Sequence, residues 1–125
     1  MHIERRPSNS DGRSLTVAFS DFVWTVATAR DNTSAFEHQV GQSLDLLGRN
    51  LELADSARTH ILSLQVLLTD IANRPEFDVL WQEWIGSDPR HWPQRACFGA
   101  SLAPGLLIEL VAVAARSSVP LAAEE

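Results

Sequence analysis

Apolar residues recur at two different spacings along the chain, and these spacings divide it into predicted strands and helices. Residues 14–19 and 22–29 are extended runs rich in Val, Thr, Phe and Trp, and a short polar link between them predicts a β-hairpin. After Ser34, apolar side chains recur at steps of three or four, which predicts an amphipathic helix that ends near Leu53. The positions of this apolar stripe are Phe36, Val40, Leu44, Leu47 and Leu51.

Residues that favour helix ends flank both predicted helices. Ser34 and Glu37 have the spacing of a capping box, in which each side chain binds a free backbone amide of the first turn. Asn73 precedes a proline near the first turn, so we expect it to cap a second helix, which Gly86 ends. The apolar face of this second helix is predicted to contain Phe77, Leu80, Trp81, Trp84 and Ile85.

Three further apolar runs predict strands. Residues 57–69 are rich in Ile, Leu and Val without a polar helical face, which is typical of a buried strand. The last two predicted strands are residues 94–102 and 106–115. If these strands form a hairpin, Arg95 and Glu109 could lie near each other. The resulting order, ββαβαββ, predicts an α+β fold with two helices packed on one face of a mixed sheet.

The last predicted strand is apolar on both of its faces. One face would carry Leu107, Val111 and Val113, and the other Ile108, Leu110 and Ala112. Two helices can cover only one face of a sheet, so the other face needs a partner, and a second copy of the chain is the simplest one. The pattern therefore favours an oligomer.

Length and composition restrict the class of protein. The 125 residues fit one domain, residues 1–125, with a polar arm or short edge strand at 1–13 and a frayed tail at 117–125. A net charge of −6 is a poor match to phosphate backbones, so we do not expect nucleic acid as a partner. The sequence shows neither a signal peptide nor an apolar run long enough to span a membrane, so we expect a cytoplasmic protein without membrane contacts.

Few residues are candidates for chemistry. Glu109 stands in an apolar strand, where a charged carboxylate must be paired, protonated or placed in a wet cleft; a structural ion pair with Arg95 is one interpretation. Cys97, the single cysteine, is better explained as a small buried hydrophobe than as a nucleophile. The four histidines lie far apart in sequence and form no metal-binding motif, so no metal site is predicted.

Five short motifs, in this order, resemble those of the reactive intermediate deaminase family, also called RidA or YjgF. The resemblance extends roughly from Gly12 to Ala115. It implies a chorismate-mutase-like α+β fold, a homotrimer with active sites in clefts between subunits, and no cofactor. The implied activity is hydrolysis of reactive enamines and imines, such as 2-aminoacrylate, to 2-oxo acids and ammonia. The motifs are Gln39-x-x-Gln42-Ser43-Leu44-Asp45, Leu67-Leu68-Thr69-Asp70, Phe77-Asp78-x-x-Trp81, Pro93-Gln94-Arg95-Ala96-Cys97 and Ile108-Glu109-Leu110.

The resemblance also implies roles for individual residues. Arg95 falls on the arginine that binds the substrate carboxylate, and Glu109 on an acidic residue that would orient water and transfer a proton. Cys97, Ala27 and Asp78 fall on positions that line the same cleft and would contact the substrate. The chain departs from the family pattern at two of these: Ala27 stands within a triplet that is SGQ-like in the family, and Asp78 replaces an asparagine.

Two other functions remain compatible with these residues. A non-catalytic trimer of the same fold could bind a small carboxylate or a protein partner. A hydrolase of another type could use the same trimer. Ammonia release from imines would distinguish the deaminase from the non-catalytic protein.

Overall fold

Six strands form one sheet, and two α-helices lie across it, in the computed structural model, which describes residues 1–123. The predicted order ββαβαββ is confirmed, preceded by one short strand from the polar arm. No helix within residues 1–123 is long and apolar enough to cross a membrane. The strands are β1 (Glu4–Pro7), β2 (Ser14–Phe19), β3 (Phe22–Thr28), β4 (Ser56–Leu68), β5 (Gln94–Gly99) and β6 (Ile108–Arg116), and the helices are α1 (Phe36–Leu53) and α2 (Arg74–Ile85).

The sheet is mixed, with the strand order β1-β2-β3-β6-β4-β5. β4 and β5 are parallel, and all other neighbouring strands are antiparallel. The interpretation of the last two strands as a hairpin is therefore wrong, because β4 lies between them. Ala100 donates a backbone hydrogen bond to Leu68 (2.9 Å), and Thr69 donates one to Leu107 (3.2 Å), so the connection between β5 and β6 passes the end of β4.

Both helices pack on the same face of the sheet and form the core with it, as predicted. The whole apolar stripe predicted for α1 is buried. From α2, Phe77, Trp81 and Ile85 are buried, while Leu80 and Trp84 are half-buried against the core. Burial of each large apolar side chain contributes about 1.5–3 kcal/mol. The sheet supplies Val23, Ala27, Leu64, Val66, Leu68, Ile108 and Leu110 to this face.

The start of α1 differs from the predicted capping box. Ala35 is the N-cap residue and no side chain caps the helix. The hydroxyl of Ser34 donates instead to the backbone oxygen of Asp31 (3.0 Å), which stabilises the preceding turn. The Ser34 hydroxyl thus stabilises the turn before the helix rather than the helix end.

A buried glutamine ties the start of α1 to the segment before β6. Gln39 Nε2 donates to the backbone oxygens of Ser34 (3.1 Å) and Gly105 (2.9 Å), and Gln39 Oε1 accepts from Leu107 N (2.9 Å). Each of these backbone groups would otherwise lack a partner in a partly buried place, which costs about 1–3 kcal/mol per group. Gln39 therefore acts as a structural crosslink.

The start of α2 also differs from its prediction. Asn73 makes no capping hydrogen bond, because it ends a 3₁₀ turn, Ile71–Asn73, that precedes the helix. Asp70 caps that turn by accepting a hydrogen bond from Ala72 N at 3.0 Å. Gly86 ends α2 as predicted, with a φ of 82° that favours glycine.

The opposite face of the sheet, called here the open face, is covered by no element within residues 1–123. Phe22, Trp24, Val26 and Phe98 are exposed on it, and Phe98 retains 47% of its accessible surface. Val111 is half-buried beside them. The apolar character predicted for both faces of the sheet is thus present in the structure.

The two ends of the chain differ in their contacts. The predicted arm contains one strand, β1, which pairs with β2 at one edge of the sheet. In the predicted tail, Ser117 N donates to Asp55 O (2.7 Å). The ring of His60 forms a hydrogen bond with the backbone oxygen of Val119 (3.0 Å). The end of that tail, residues 124–125, lies outside the described residues.

Candidate functional site

Arg95 lies on β5 with its side chain on the helix face, where it contacts α2. Its Nη2 donates to Asp78 Oδ1 at 2.5 Å, and its guanidinium carbon lies 5.4 Å from the centre of the Phe77 ring. Phe77 is fully buried, so it forms a fixed wall for the guanidinium. The Arg95 side chain is 19% exposed. It is therefore held in one orientation but stays accessible from one side.

Asp78 lies between two guanidinium groups. Besides Arg95, its Oδ2 lies 3.9 Å from Nε of Arg74, one helical turn earlier on α2. The side chains of Arg74 and Asp78 are 56% and 43% exposed, so water screens this second contact strongly. Two cations and one anion thus give this cluster a net charge of +1.

Cys97 lies on the same face of β5, two residues after Arg95, and is half-buried against the core. Burial raises the pKa of the Cys97 thiol. The nearby charges of Arg74 and Arg95 lower this pKa and that of Asp78 raises it, but burial is the largest cause. The thiol is therefore protonated at neutral pH and contributes an apolar surface rather than a nucleophile.

Glu109 lies on the open face, opposite to the face that carries Arg95. In the sheet, Glu109 is paired with Leu67 of β4, and Arg95 with Leu64. Side chains alternate along a strand, so neighbours of positions 64 and 67 lie on opposite faces. Within residues 1–123, the side chain of Glu109 has no hydrogen bond or ion pair, while its backbone pairs with β3 and β4. The interpretation of Arg95 and Glu109 as an ion pair within one chain is therefore wrong, and Asp78 takes the place of Glu109.

Ala27 is separated from the Arg95 cluster. It lies on β3, and its side chain is 1% exposed in the core under α1. β6 and β4 lie between β3 and β5, which corresponds to roughly 14 Å at ordinary strand spacing. The next residue, Thr28, is paired with Glu109 and lies on the open face with it.

The residues predicted for the site thus fall into two groups. Arg95, Asp78 and Cys97 come together on the helix face, whereas Glu109 lies on the open face beside Thr28. The sequence analysis missed Arg74 as a part of the first group. Its position four residues before Asp78 on the same helix was the available signal.

One hollow in the described part of the chain is separate from this site. A hollow of about 550 Å³ lies between α1 and β4, and Gly48, Arg58 and Trp84 line it. Arg58 Nη1 donates to the backbone oxygen of Trp84 (3.1 Å), and its guanidinium lies over the Trp84 ring. The contacts between Arg58 and Trp84 thus stabilise the wall of this hollow. Arg95 is not among the residues that line it.

The comparison with protein families identifies the class of protein. The chain belongs to the endoribonuclease L-PSP family, which is the YjgF or RidA family, because the model of that family matches residues 25–116. The resemblance found in the sequence motifs is thereby confirmed. None of the curated proteins matches the sequence significantly.

Solved structures confirm the fold. The chain is 26% identical to an uncharacterized protein from Pseudomonas aeruginosa, with a TM-score of 0.82 over 93% of this chain and 100% of that one. A member of the YjgF protein family from Neisseria meningitidis has 23% identity and a TM-score of 0.83, over 93% and 96% of the two chains. A member of the YjgF/YER057c/UK114 family from Mycobacterium tuberculosis has 22% identity and a TM-score of 0.76, over 91% and 99%.

Proposed function

We propose that this protein is a deaminase that hydrolyses reactive enamines or imines of small carboxylic acids to 2-oxo acids and ammonia. The observation that carries the proposal is the state of Arg95. Phe77 and Asp78 fix its guanidinium, while its other N–H groups have no partner within residues 1–123. A guanidinium can offer two parallel N–H donors to a carboxylate, so Arg95 is suited to hold the acid group of a substrate.

The reaction needs little beyond positioning. With its carboxylate on Arg95, an imine presents its C=N carbon to a water molecule. Glu109 would accept a proton from this water as the new C–O bond forms and return it to the nitrogen. The C–N bond of the resulting adduct then breaks, so that one imine and one water give one 2-oxo acid and one ammonia.

Arg95 and Glu109 lie on opposite faces of the sheet, so we infer that two copies of the chain build one site. The open face supports this, because Trp24, Val26 and Phe98 on it would be buried by a partner. Membership of the family suggests a homotrimer. Light scattering should therefore give the mass of three chains of 13.8 kDa each. A monomer at micromolar concentration would contradict a site between subunits.

A non-catalytic protein that binds carboxylates is the second candidate. It is favoured by the fact that Asp78 already binds Arg95 and that the Cys97 thiol stays protonated, so neither of these two neighbours of Arg95 is a free base or nucleophile. RNA cleavage, which the family description names, is not proposed, since a net charge of −6 disfavours binding of a phosphate backbone.

The test is the release of ammonia from imines that an amino-acid oxidase generates in the same solution. The wild-type protein should accelerate it above the spontaneous rate. Arg95→Ala should lose this acceleration by at least on the order of 100-fold, because the substrate is no longer positioned. Arg95→Lys should recover little, since an ammonium cannot reproduce the planar pair of donors.

Arg49→Ala is the matched control, because Arg49 is an exposed arginine of α1 and its loss changes the net charge equally. This variant should keep wild-type activity. Near-normal activity of Arg95→Lys would refute carboxylate binding by a guanidinium pair. A wild-type protein that binds carboxylates without releasing ammonia would establish the non-catalytic candidate.

A further inference from the structure

We propose that Asp78 makes the site selective for zwitterionic ligands, in which a protonated nitrogen accompanies the carboxylate, over simple carboxylates. The inference rests on the proposed function, since it assigns a ligand class to the Arg95 site. It makes Asp78 a residue that determines specificity.

The distance between Asp78 and Arg95 is the first argument. Asp78 Oδ1 lies 2.5 Å from Arg95 Nη2, so a ligand carboxylate on the remaining N–H groups of Arg95 must share that guanidinium with Asp78. Two carboxylates on one cation repel each other at this separation. A simple carboxylate is thus bound more weakly than by an arginine without an acidic partner.

The local charge is the second argument. Arg74 is the only other charged side chain in contact with Asp78 within residues 1–123, and its distance of 3.9 Å and its exposure make its contribution small. Arg95 and Asp78 together present a positive and a negative group side by side. A ligand with a carboxylate and a protonated amino or imino group one carbon apart matches this pair in sign and order.

The accessibility of Asp78 is the third argument. Its side chain is 43% exposed, and a carboxylate has room for about four hydrogen bonds. Arg95 uses one of these acceptor sites, and Arg74 lies too far away to form a hydrogen bond. Asp78 can therefore accept a hydrogen bond from a ligand N–H⁺ without releasing Arg95.

The arrangement has a consequence for turnover. A protonated 2-imino acid carries both charges, whereas the 2-oxo acid formed from it keeps only the carboxylate. Asp78 would then attract the substrate and repel the product. Product release is favoured by the same residue that selects the substrate.

The experiment compares two unreactive probes that differ only in the ammonium group, L-alanine and propanoate. Their dissociation constants are measured on the full-length protein by NMR titration. The wild-type protein should bind alanine more tightly than propanoate. Asp78→Asn keeps the shape of the side chain but removes its charge. It should therefore lower the ratio of the affinity for alanine to the affinity for propanoate by at least about tenfold.

Two further variants serve as controls. Glu76→Gln removes an exposed carboxylate two residues earlier, on the other side of α2, and should leave the ratio unchanged. Asp78→Glu retains the charge and should keep the preference for alanine. Asp78→Ala provides the same charge comparison if Asp78→Asn does not fold.

The outcomes separate this inference from the proposed function. If the wild-type protein binds neither probe, Arg95 does not bind carboxylates, and both this inference and the proposed function are refuted. If it binds both probes and removal of the Asp78 charge leaves the ratio unchanged, Asp78 does not select the ligand, while the proposed function stands.

Discussion

One step along β5 decides whether a side chain belongs to the core or to the open face. Arg95 and Cys97 point towards the helices, and there Arg95 meets the buried ring of Phe77 and the carboxylate of Asp78. The alternate residue Phe98 points away and remains 47% exposed. The same short strand thus supplies a polar group to the candidate site and an apolar group to the surface that needs a partner.

The Cys97 thiol should be less reactive than an ordinary cysteine. Burial raises its pKa, and only the thiolate is nucleophilic, so at pH 8 the native protein should react with iodoacetamide at least about tenfold more slowly than the unfolded chain. The pH dependence identifies the cause. A raised pKa moves the midpoint of the rate profile above the usual value near 8.5, whereas poor access lowers the rate equally at every pH.

Cys97 is the single cysteine of the chain, so the measured rate belongs to one known thiol. The folded state prefers the protonated thiol, and it should lose stability as the pH rises above the pKa of the unfolded chain. A native rate equal to that of the unfolded chain would show instead that Cys97 is available as a nucleophile.

At the scale of the elements, two glycines should respond in opposite ways to the same substitution. Gly105 has a φ of 81°, and an added Cβ would lie 2.3 Å from the backbone oxygen of Asn32, so Gly105→Ala should destabilise the fold by about 2–4 kcal/mol. Gly41 lies within α1, where an added Cβ would meet no atom within 4 Å, so Gly41→Ala should stabilise it by about 0.5–1 kcal/mol. Urea unfolding of both variants measures these free energies.

Opposite signs for this pair would confirm how the segment before β6 is fixed on α1. Gly105 also supplies a backbone oxygen to Gln39, so its displacement breaks that crosslink as well. A Gly105→Ala protein as stable as the wild type would mean that this segment can move away from Asn32 at little cost.

The helices could be predicted from the sequence because their signal is local. The apolar stripe of α1 and the glycine that ends α2 are both visible within a few residues. The partner of β5 is not a local property. The short link before β6 favoured a hairpin of β5 and β6. In the structure, β4 instead pairs with β5 along one edge and with β6 along the other.

The candidate site was predictable only in part for the same reason. The motifs identified Arg95, Asp78 and Glu109 as residues, but the face on which each lies depends on its register with β4. Asp78 lies on a different element from Arg95, and neither a charge pattern nor a spacing connects the two. Only the packing of α2 beside β5 brings them within 2.5 Å.

The two edges of the sheet differ in how well they can bind a second copy of the chain. At one edge, β1 is exposed and carries Glu4, Arg5, Arg6 and Pro7, a composition that discourages pairing with another strand. At the other edge, β5 carries Phe98 on the open face and Arg95 on the helix face. We therefore expect a second copy to cover the open face and to extend past the β5 edge, so that its Glu109 could reach the exposed side of Arg95 on the helix face.

Mixing of two inactive variants would test this arrangement directly. Arg95→Ala and Glu109→Gln should each lose ammonia release when assayed alone. If a site takes Arg95 from one subunit and Glu109 from the next, random mixed trimers contain intact sites. At equal amounts of the two chains, about a quarter of all sites combine both wild-type residues, and this fraction of wild-type activity should return.

The activity of mixed trimers also excludes the alternative, since a site built within one chain cannot be restored by mixing. The variants are unfolded in urea together and refolded, because subunits must exchange before they can combine. Arg95→Ala mixed with the double variant Arg95→Ala/Glu109→Gln is the control and should stay inactive, as no chain in it carries Arg95. Activity that does not return in the first mixture, although light scattering shows trimers, would contradict a site that combines Arg95 of one subunit with Glu109 of the next.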